Sequence, residues 1–191
     1  MIIGMSEPEV LPATAQDRES VVATVVAAFD RDPAFRYFFD SDDFTAQAAT
    51  FAGYLFDKRV SRGTVWMVGQ AQAVSLWDGP ASDGPLPSLD LPAAVLARLD
   101  AYRDAVHGVI PQTPHWYLGV LATHPGHAGK RLGRAVMRAG LDRAAADALP
   151  AYLETTNPGN VELYRRSGWE VARAIDSGPV PIWVMKNKAV A

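Results

Sequence analysis

Apolar positions along the chain follow two different periods. In "TAQDRESVVATVVAAFD", Val21, Val22, Val25, Val26 and Phe29 recur at three- and four-residue steps, which predicts a helix running to about Phe29. Thr14 and Asp17 stand before it at capping-box spacing. Asp32-Pro33 breaks the pattern, and "AFRYFFD" reads as a short turn or helix ahead of a longer helix over roughly 42 to 61. The short apolar runs "TVWMVG" and "AVSLW", parted by polar residues after Gly69, predict a β-hairpin. Residues 79 to 92 are rich in Pro and Gly and form a connection. Val95, Leu99, Tyr102 and Val106 then mark a helix with Pro92 near its first turn.

The second half is more regular. It reads as strand "HWYLGVLA", helix from about 129 to 147, strand "AYLETT", helix from about 159 to 167, and strands near 169 to 174 and 181 to 186. Alternating strands and helices of this length predict an α/β layer structure. The Trp residues in or beside these strands read as packing residues, and no internal repeat or low-complexity tract is present.

Composition narrows this picture without redirecting it. A chain of 191 residues, 49% apolar and 20% charged, is long enough for one well-buried soluble domain spanning 1–191. A net charge of -3 gives no global attraction to nucleic acid or acidic membranes. The absence of Cys removes disulfides, thiol nucleophiles and thiolate metal sites, and fits a reducing compartment. "MIIGMSEPEV" lacks the apolar run and the charge of a signal peptide, and no stretch approaches the ~20 apolar residues of a membrane span, so a cytoplasmic location is expected.

Candidate chemistry begins at "THPGHAGKRLGRAVMRAG". It places Lys130, Arg131, Arg134 and Arg138 in the expected opening turns of a helix, with no acidic residue before Asp142. A helix N-terminus already carries partial positive charge, so each cation there costs roughly 0.3–1 kcal/mol. The cluster is either an anion site or a solvated basic face. A P-loop aligned on Gly129-Lys130 requires Gly at 124 and Ser or Thr at 131, where the chain has His124 and Arg131. A dinucleotide fingerprint fails as well, because Gly126, Gly129 and Gly133 are wrongly spaced. What remains is a strand, a loop in which Gly129 and Gly133 let an anion approach the backbone N–H groups, and a helix.

These residues resemble the GNAT superfamily of N-acetyltransferases. The family's pyrophosphate-binding pattern, Gln/Arg-x-x-Gly-x-Gly/Ala after a Val-x-Pro at a strand end, aligns with "THPGHAGKRLG" through Thr123 and Pro125. Gly129 and Gly133 fit; Ala128 stands where Gln or Arg is usual, and Arg131 occupies the middle glycine position. Downstream, "YLETTNPGNVELYRRSGWEV" is similar to the family's strand and helix ending in Tyr, three variable residues, Gly and an aromatic, here Tyr164 to Trp169. The likeness is strong over about 115 to 170 and one of layout in the N-terminal half; "LETTNPGNVELY" is also similar to the group containing puromycin N-acetyltransferase.

The resemblance implies an α/β fold with a mixed central sheet flanked by helices, and coenzyme A in a cleft between two splayed central strands. It implies acetyl-CoA as co-substrate and no metal. The pantetheine arm would pair with the backbone of Leu121, Ala122 and Thr123. Ala128, Gly129, Lys130, Arg131, Gly133 and Arg134 would meet the phosphates. Tyr164 would be the acid for the departing thiolate, since a phenol of pKa about 10 can protonate a thiolate whose conjugate acid is near 8.5. Asn157 and Asn160 either cap the following helix or reach the cofactor. Glu154 and His115 are candidate bases, with Glu154 equally open to a structural role. His124 and His127 lack an evident third metal ligand. In "FDRDPAFRYFFDSDDF", Asp30, Asp32, Asp40, Asp42 and Asp43 either attract a cationic amine or sit on a solvated loop. The expected function is acetyl transfer to a primary amine, most simply of a small molecule, by a monomer or homodimer that needs neither nucleic acid nor membrane. A non-catalytic acyl-CoA sensor is the alternative, and a different acyl group such as succinyl is a third reading.

Overall fold

The computed structural model describes residues 8–80 and 86–187. Most of the N-terminal segment read against a signal peptide, and 81–85 of the Pro/Gly-rich connection, lie outside the described residues. Among the described residues seven strands form one sheet: β1 (Val10–Pro12), β2 (Val65–Val68), β3 (Ala73–Asp78), β4 (Trp116–Thr123), β5 (Ala151–Thr155), β6 (Trp169–Ile175) and β7 (Ile182–Asn187). Their order is β1-β2-β3-β4-β5-β7-β6. Every neighbouring pair is antiparallel except β4 and β5. A parallel pair needs a crossover, and helix α5 (Leu132–Ala146) supplies it. β1 was not anticipated; three residues, two of them exposed, carry too short a pattern to read.

Helices cover both faces. On one face, α1 (Arg18–Ala28), α2 (Pro33–Phe38), α3 (Phe44–Val60) and α4 (Ala93–His107) close a core with Val65, Met67, Val74, Leu76, Val120 and Ala122. On the other, α5 and α6 (Pro158–Arg165) cover Trp66, Trp77, Trp116, Leu118, Leu153 and Trp169. All five Trp residues lie in strands, as packing residues should. The first helix starts as expected: Thr14 N and Oγ1 both donate to Asp17 Oδ2, at 2.7 and 2.8 Å, over a 3-10 turn leading into α1. Asp32 caps α2 through Oδ1, which accepts from Ala34 N and Phe35 N. α5 approaches the sheet closely at two glycines of a face that otherwise buries Leu132, Val136 and Met137. A Cβ at Gly140 would lie 2.1 Å from Trp77 Cε2, and one at Gly133 would lie 2.9 Å from Thr123 Oγ1.

Two irregularities in β4 shape the site. β3 pairs Leu76 with Val120 but Trp77 with Leu118, so Gly119 is an extra residue in the ladder, a β-bulge. The bulge switches faces: Trp116 and Leu118 pack on the α5 side, whereas Val120 and Ala122 pack under α1 and α3. Pairing of β4 with β5 stops at Leu118 and Leu153. Beyond it, the β4 main chain from Gly119 to Thr123 has no β5 partner.

Candidate active site

Where the two strands part, a cavity of about 970 Å³ opens between them and the α1–α4 layer. That volume is at the upper end for a small-molecule site, roomy enough for two reactants. Glu154, near the end of β5, faces it and accepts a short hydrogen bond from the Tyr117 hydroxyl on β4. Burial pushes the Glu154 carboxyl up to about 7; Tyr117 and the Arg59 guanidinium pull the other way without reversing it. Burial, reinforced by Glu154, drives the Tyr117 phenol well above its usual range. A carboxylate poised near neutrality is what general-base work at physiological pH requires.

Tyr164 reaches the same cavity from α6. It is 8% exposed, edge-on to Trp169 at 6.2 Å between ring centroids. Burial, with Glu154 and Asp32, pushes its phenol well above the ordinary value, so it stays protonated at neutral pH but is a weaker acid than a free phenol. Asn157 caps α6, its Oδ1 accepting from Gly159 N at 2.9 Å, and also lines the cavity, as does Asn160. Tyr102 on α4 and Asp32 complete the polar end. Burial first, then Glu154 and Asp32, raise the Tyr102 pKa, and burial raises that of Asp32. His115 also lines the cavity, but its Nδ1 is engaged with Thr113 O at 2.7 Å.

Beneath the bulge lies a buried charge cluster. Arg59, 2% exposed, ties Asp78 to the end of α3 through Nη2 and caps Leu55 O through Nη1 at 2.9 Å. Lys58 Nζ lies 3.1 Å from Asp78 Oδ1. Burial opposes the Asp78 charge, yet Arg59 and Lys58 outweigh it and hold the carboxyl below its ordinary range. Gly119 makes room for the guanidinium, since a Cβ there would lie 2.6 Å from Arg59 Nη2.

The β4–α5 loop leaves the cavity edge at Thr123. Helix α5 begins at Leu132, not near 129, so Lys130 and Arg131 precede it and only Arg134 and Arg138 belong to its opening turns. The reason is the backbone at Arg131, which as N-cap adopts the left-handed conformation, φ 61°. Gly129 is left-handed too, φ 78°, and a Cβ there would meet no described residue beyond its chain neighbours within 4 Å. The first intrahelical bond runs from Ala135 N to Arg131 O, so the N–H groups of Leu132, Gly133 and Arg134 point out of the helix end. Lys130, Arg131 and Arg134 are exposed and form no ion pair among the described residues, whereas Arg138 pairs with Asp142 at 3.8 Å. This open, positively charged cradle fits a diphosphate. His124 Nδ1 accepts from Gly126 N at 3.2 Å, and His127 Nδ1 lies 3.3 Å from Lys130 Nζ, so both rings serve the loop itself.

The predicted site residues thus fall into two groups. Leu121, Thr123, Glu154, Asn157, Asn160 and Tyr164 line the cavity; Ala128 to Arg134 lie outside its lining, in the loop and first helical turn that follow Thr123. Ala122 is 2% exposed and turned into the core, leaving only its main chain for binding. Of the five aspartates near α2, only Asp32 lines the cavity. Asp30 pairs with Arg36 and Asp40 with Arg98, while Asp42 and Asp43 are exposed. Sequence reasoning missed Tyr117, Tyr102, Arg59 and Asp78 as site residues. Tyr117 carried one usable signal: it is a polar-tipped strand residue between the apolar Trp116 and Leu118.

Comparison with known proteins agrees with this geometry. The model of the acetyltransferase (GNAT) family matches residues 14–169. A Corynebacterium glutamicum structure described as histone acetyltransferase HPA2 and related acetyltransferase is 25% identical, covering 96% of this chain and 97% of its own, with a TM-score of 0.71. A mosquito arylalkylamine N-acetyltransferase like 5b shares the fold at 14% identity, 95% and 100% coverage and TM-score 0.62. So does the PaiA N-acetyltransferase of Thermoplasma acidophilum in complex with coenzyme A, at 10% identity, 95% and 99% coverage and TM-score 0.62. The matched span takes in the split between β4 and β5, the cation-rich loop and the Tyr164 helix: this chain belongs to the GNAT acetyltransferase family.

Proposed function

We propose that the protein transfers an acetyl group from acetyl-CoA to a primary amine by direct attack of the amine nitrogen, as a single domain acting on a small molecule in the cytoplasm. The observation that carries this reading is the placement of Glu154 and Tyr164 in one cavity, at the point where β4 loses its partner strand and beside the cationic loop. A coenzyme A complex in the Thermoplasma relative supports the choice of donor. The absence of Cys leaves no thiol to form an acyl-enzyme, which supports direct transfer, and also fits a reducing cytoplasm.

The residues divide the work. The unpartnered β4 main chain, Gly119 to Thr123, offers N–H and C=O groups to an extended pantetheine arm. Lys130, Arg131, Arg134 and the helix N–H groups neutralise phosphates. Acetyl-CoA, when bound, supplies an acyl carbon activated as a thioester. Glu154 takes a proton from the acceptor nitrogen, and Tyr164 holds the proton that a leaving thiolate requires. A carboxylate and phenols turned into one cavity favour turnover over an acyl-CoA sensor, which needs no proton-transfer groups.

Coenzyme A at about 100 times its Kd stabilises the fold by roughly 2.7 kcal/mol, a melting shift of several degrees. Thiol release from acetyl-CoA in the presence of a broad panel of primary amines reads the chemistry. A melt unmoved by millimolar coenzyme A, with no thiol released, refutes the proposal.

A further inference from the structure

One wall of the cavity carries a run of aromatic rings. Tyr54 stacks on Phe51 at 6.3 Å between centroids and 14° between planes. Phe51 meets Phe38 at 6.4 Å, and Phe38 meets Tyr102 edge-on at 4.9 Å. Phe35 joins the same cluster, 4.5 Å from Phe29 and 6.0 Å from Phe51. Phe35 and Phe38 are 5% and 4% exposed and form the backing, while Phe29, Phe51, Tyr54 and Tyr102 remain partly open to the cavity.

This aromatic run ends at the carboxylates. Tyr102 lies within the electrostatic reach of both Glu154 and Asp32. Asp32 spends Oδ1 on capping α2 and leaves Oδ2 without a hydrogen bond among the described residues. Lys58 and Arg59, the cations nearest the bulge, are taken up by Asp78. Asp32 and Glu154 thus stand together at one end of the rings; of the other carboxylates lining the cavity, Asp78 is held by Lys58 and Arg59 and Asp100 is paired with Arg103 at 3.0 Å, while Arg31 adds a cation. A polyamine or an aminoglycoside would require acceptors spread along that wall.

Resting on the acetyl-transfer reading above, we propose that the acceptor is an arylalkylamine. Its ring lies against Phe51, Tyr54 and Tyr102, and its nitrogen is held as an ammonium by Asp32 before Glu154 takes the proton. Aromatic packing selects the ring, and Asp32 selects the cationic head. Asp32 is then a binding residue for the acceptor and Phe51 a specificity-determining one.

Calorimetric titration of 2-phenylethylamine, n-butylamine and spermidine, with and without coenzyme A, tests this directly. The phenyl compound binds on the order of tenfold to hundredfold tighter than n-butylamine, the range expected for burying one ring. Asp32→Asn keeps the helix cap but removes the charge, and weakens both monoamines by about tenfold or more. Phe51→Leu, which preserves apolar packing, weakens only 2-phenylethylamine. Equal affinity for the two monoamines, tighter binding of spermidine, or variants that bind like the wild type overturns the proposal. Coenzyme A affinity from the same preparations separates the two readings. Normal coenzyme A binding without an aryl preference defeats the acceptor class alone. Absent coenzyme A binding defeats the donor, while the amine titrations still decide the acceptor class.

Discussion

Replacing Glu154 with Gln should make the protein more stable and less active, with both effects depending on pH. The Gln side chain keeps an oxygen for the Tyr117 hydroxyl but never ionises. In the wild type, burial raises the Glu154 pKa from 4.5 to about 7. Below pH 4.5 the carboxyl is neutral in both folded and unfolded chains, and its titration costs the fold nothing. Between 4.5 and 7 the unfolded chain ionises first, so stability falls as pH rises; above 7 the full penalty applies. At about 1.4 kcal/mol per pH unit, the gap amounts to about 3 kcal/mol at pH 8. Glu154→Gln escapes it, so at pH 8 its melting temperature should exceed the wild type's by several degrees, with the difference shrinking toward pH 5. Activity moves oppositely. Wild-type kcat/KM should rise through pH 7 and stand about tenfold below its plateau at pH 6, because the base must be ionised. The variant should lose that limb and about 10²–10⁴-fold in rate. Melts at pH 5 and 8, paired with thiol-release rates from pH 6 to 9, measure both. A variant no more stable than the wild type at pH 8, or a wild-type rate flat across pH 7, refutes the buried-base assignment.

Tyr164→Phe retains the ring against Trp169 but removes its proton, so kcat in the thiol-release assay should fall about 10²–10⁴-fold while calorimetric coenzyme A affinity holds; an unchanged kcat removes the acid role. Arg131→Gly relieves a left-handed residue and should add up to about 1 kcal/mol of stability. The same change should weaken coenzyme A more than pantetheine, and equal loss for both ligands in calorimetry argues against phosphate recognition. Gly140→Ala drives a methyl into Trp77, a ring with no room to move at 0% exposure, and should cost about 1–3 kcal/mol in urea denaturation.

The α/β class, the α-helices other than α2 apart from their exact ends, and the hairpin were legible because periodicity and caps are local; α2 read only as a turn or helix. Val21 and Val25 point inward at helical spacing, and Thr14 and Asp17 close their box within four residues. The cationic loop after β4 was legible for the same reason: cations without acids beside two glycines are a local arrangement. Its backbone was not, because Arg131 accepts a left-handed conformation that residue preference alone assigns to glycine. What only the tertiary structure decided depends on neighbours distant in the chain. The alternating burial of β4 reads as one inward face, yet the bulge at Gly119 sends Leu118 and Val120 to opposite sides, because Arg59 from α3 fills the space a side chain would occupy. Tyr117 and Glu154 are 37 residues apart and meet only because their strands pair in parallel up to Leu118 and Leu153 and then part. The pKa of about 7 belongs to that meeting, since it arises from burial and from the charges packed around one carboxyl, neither of which a residue's own identity specifies.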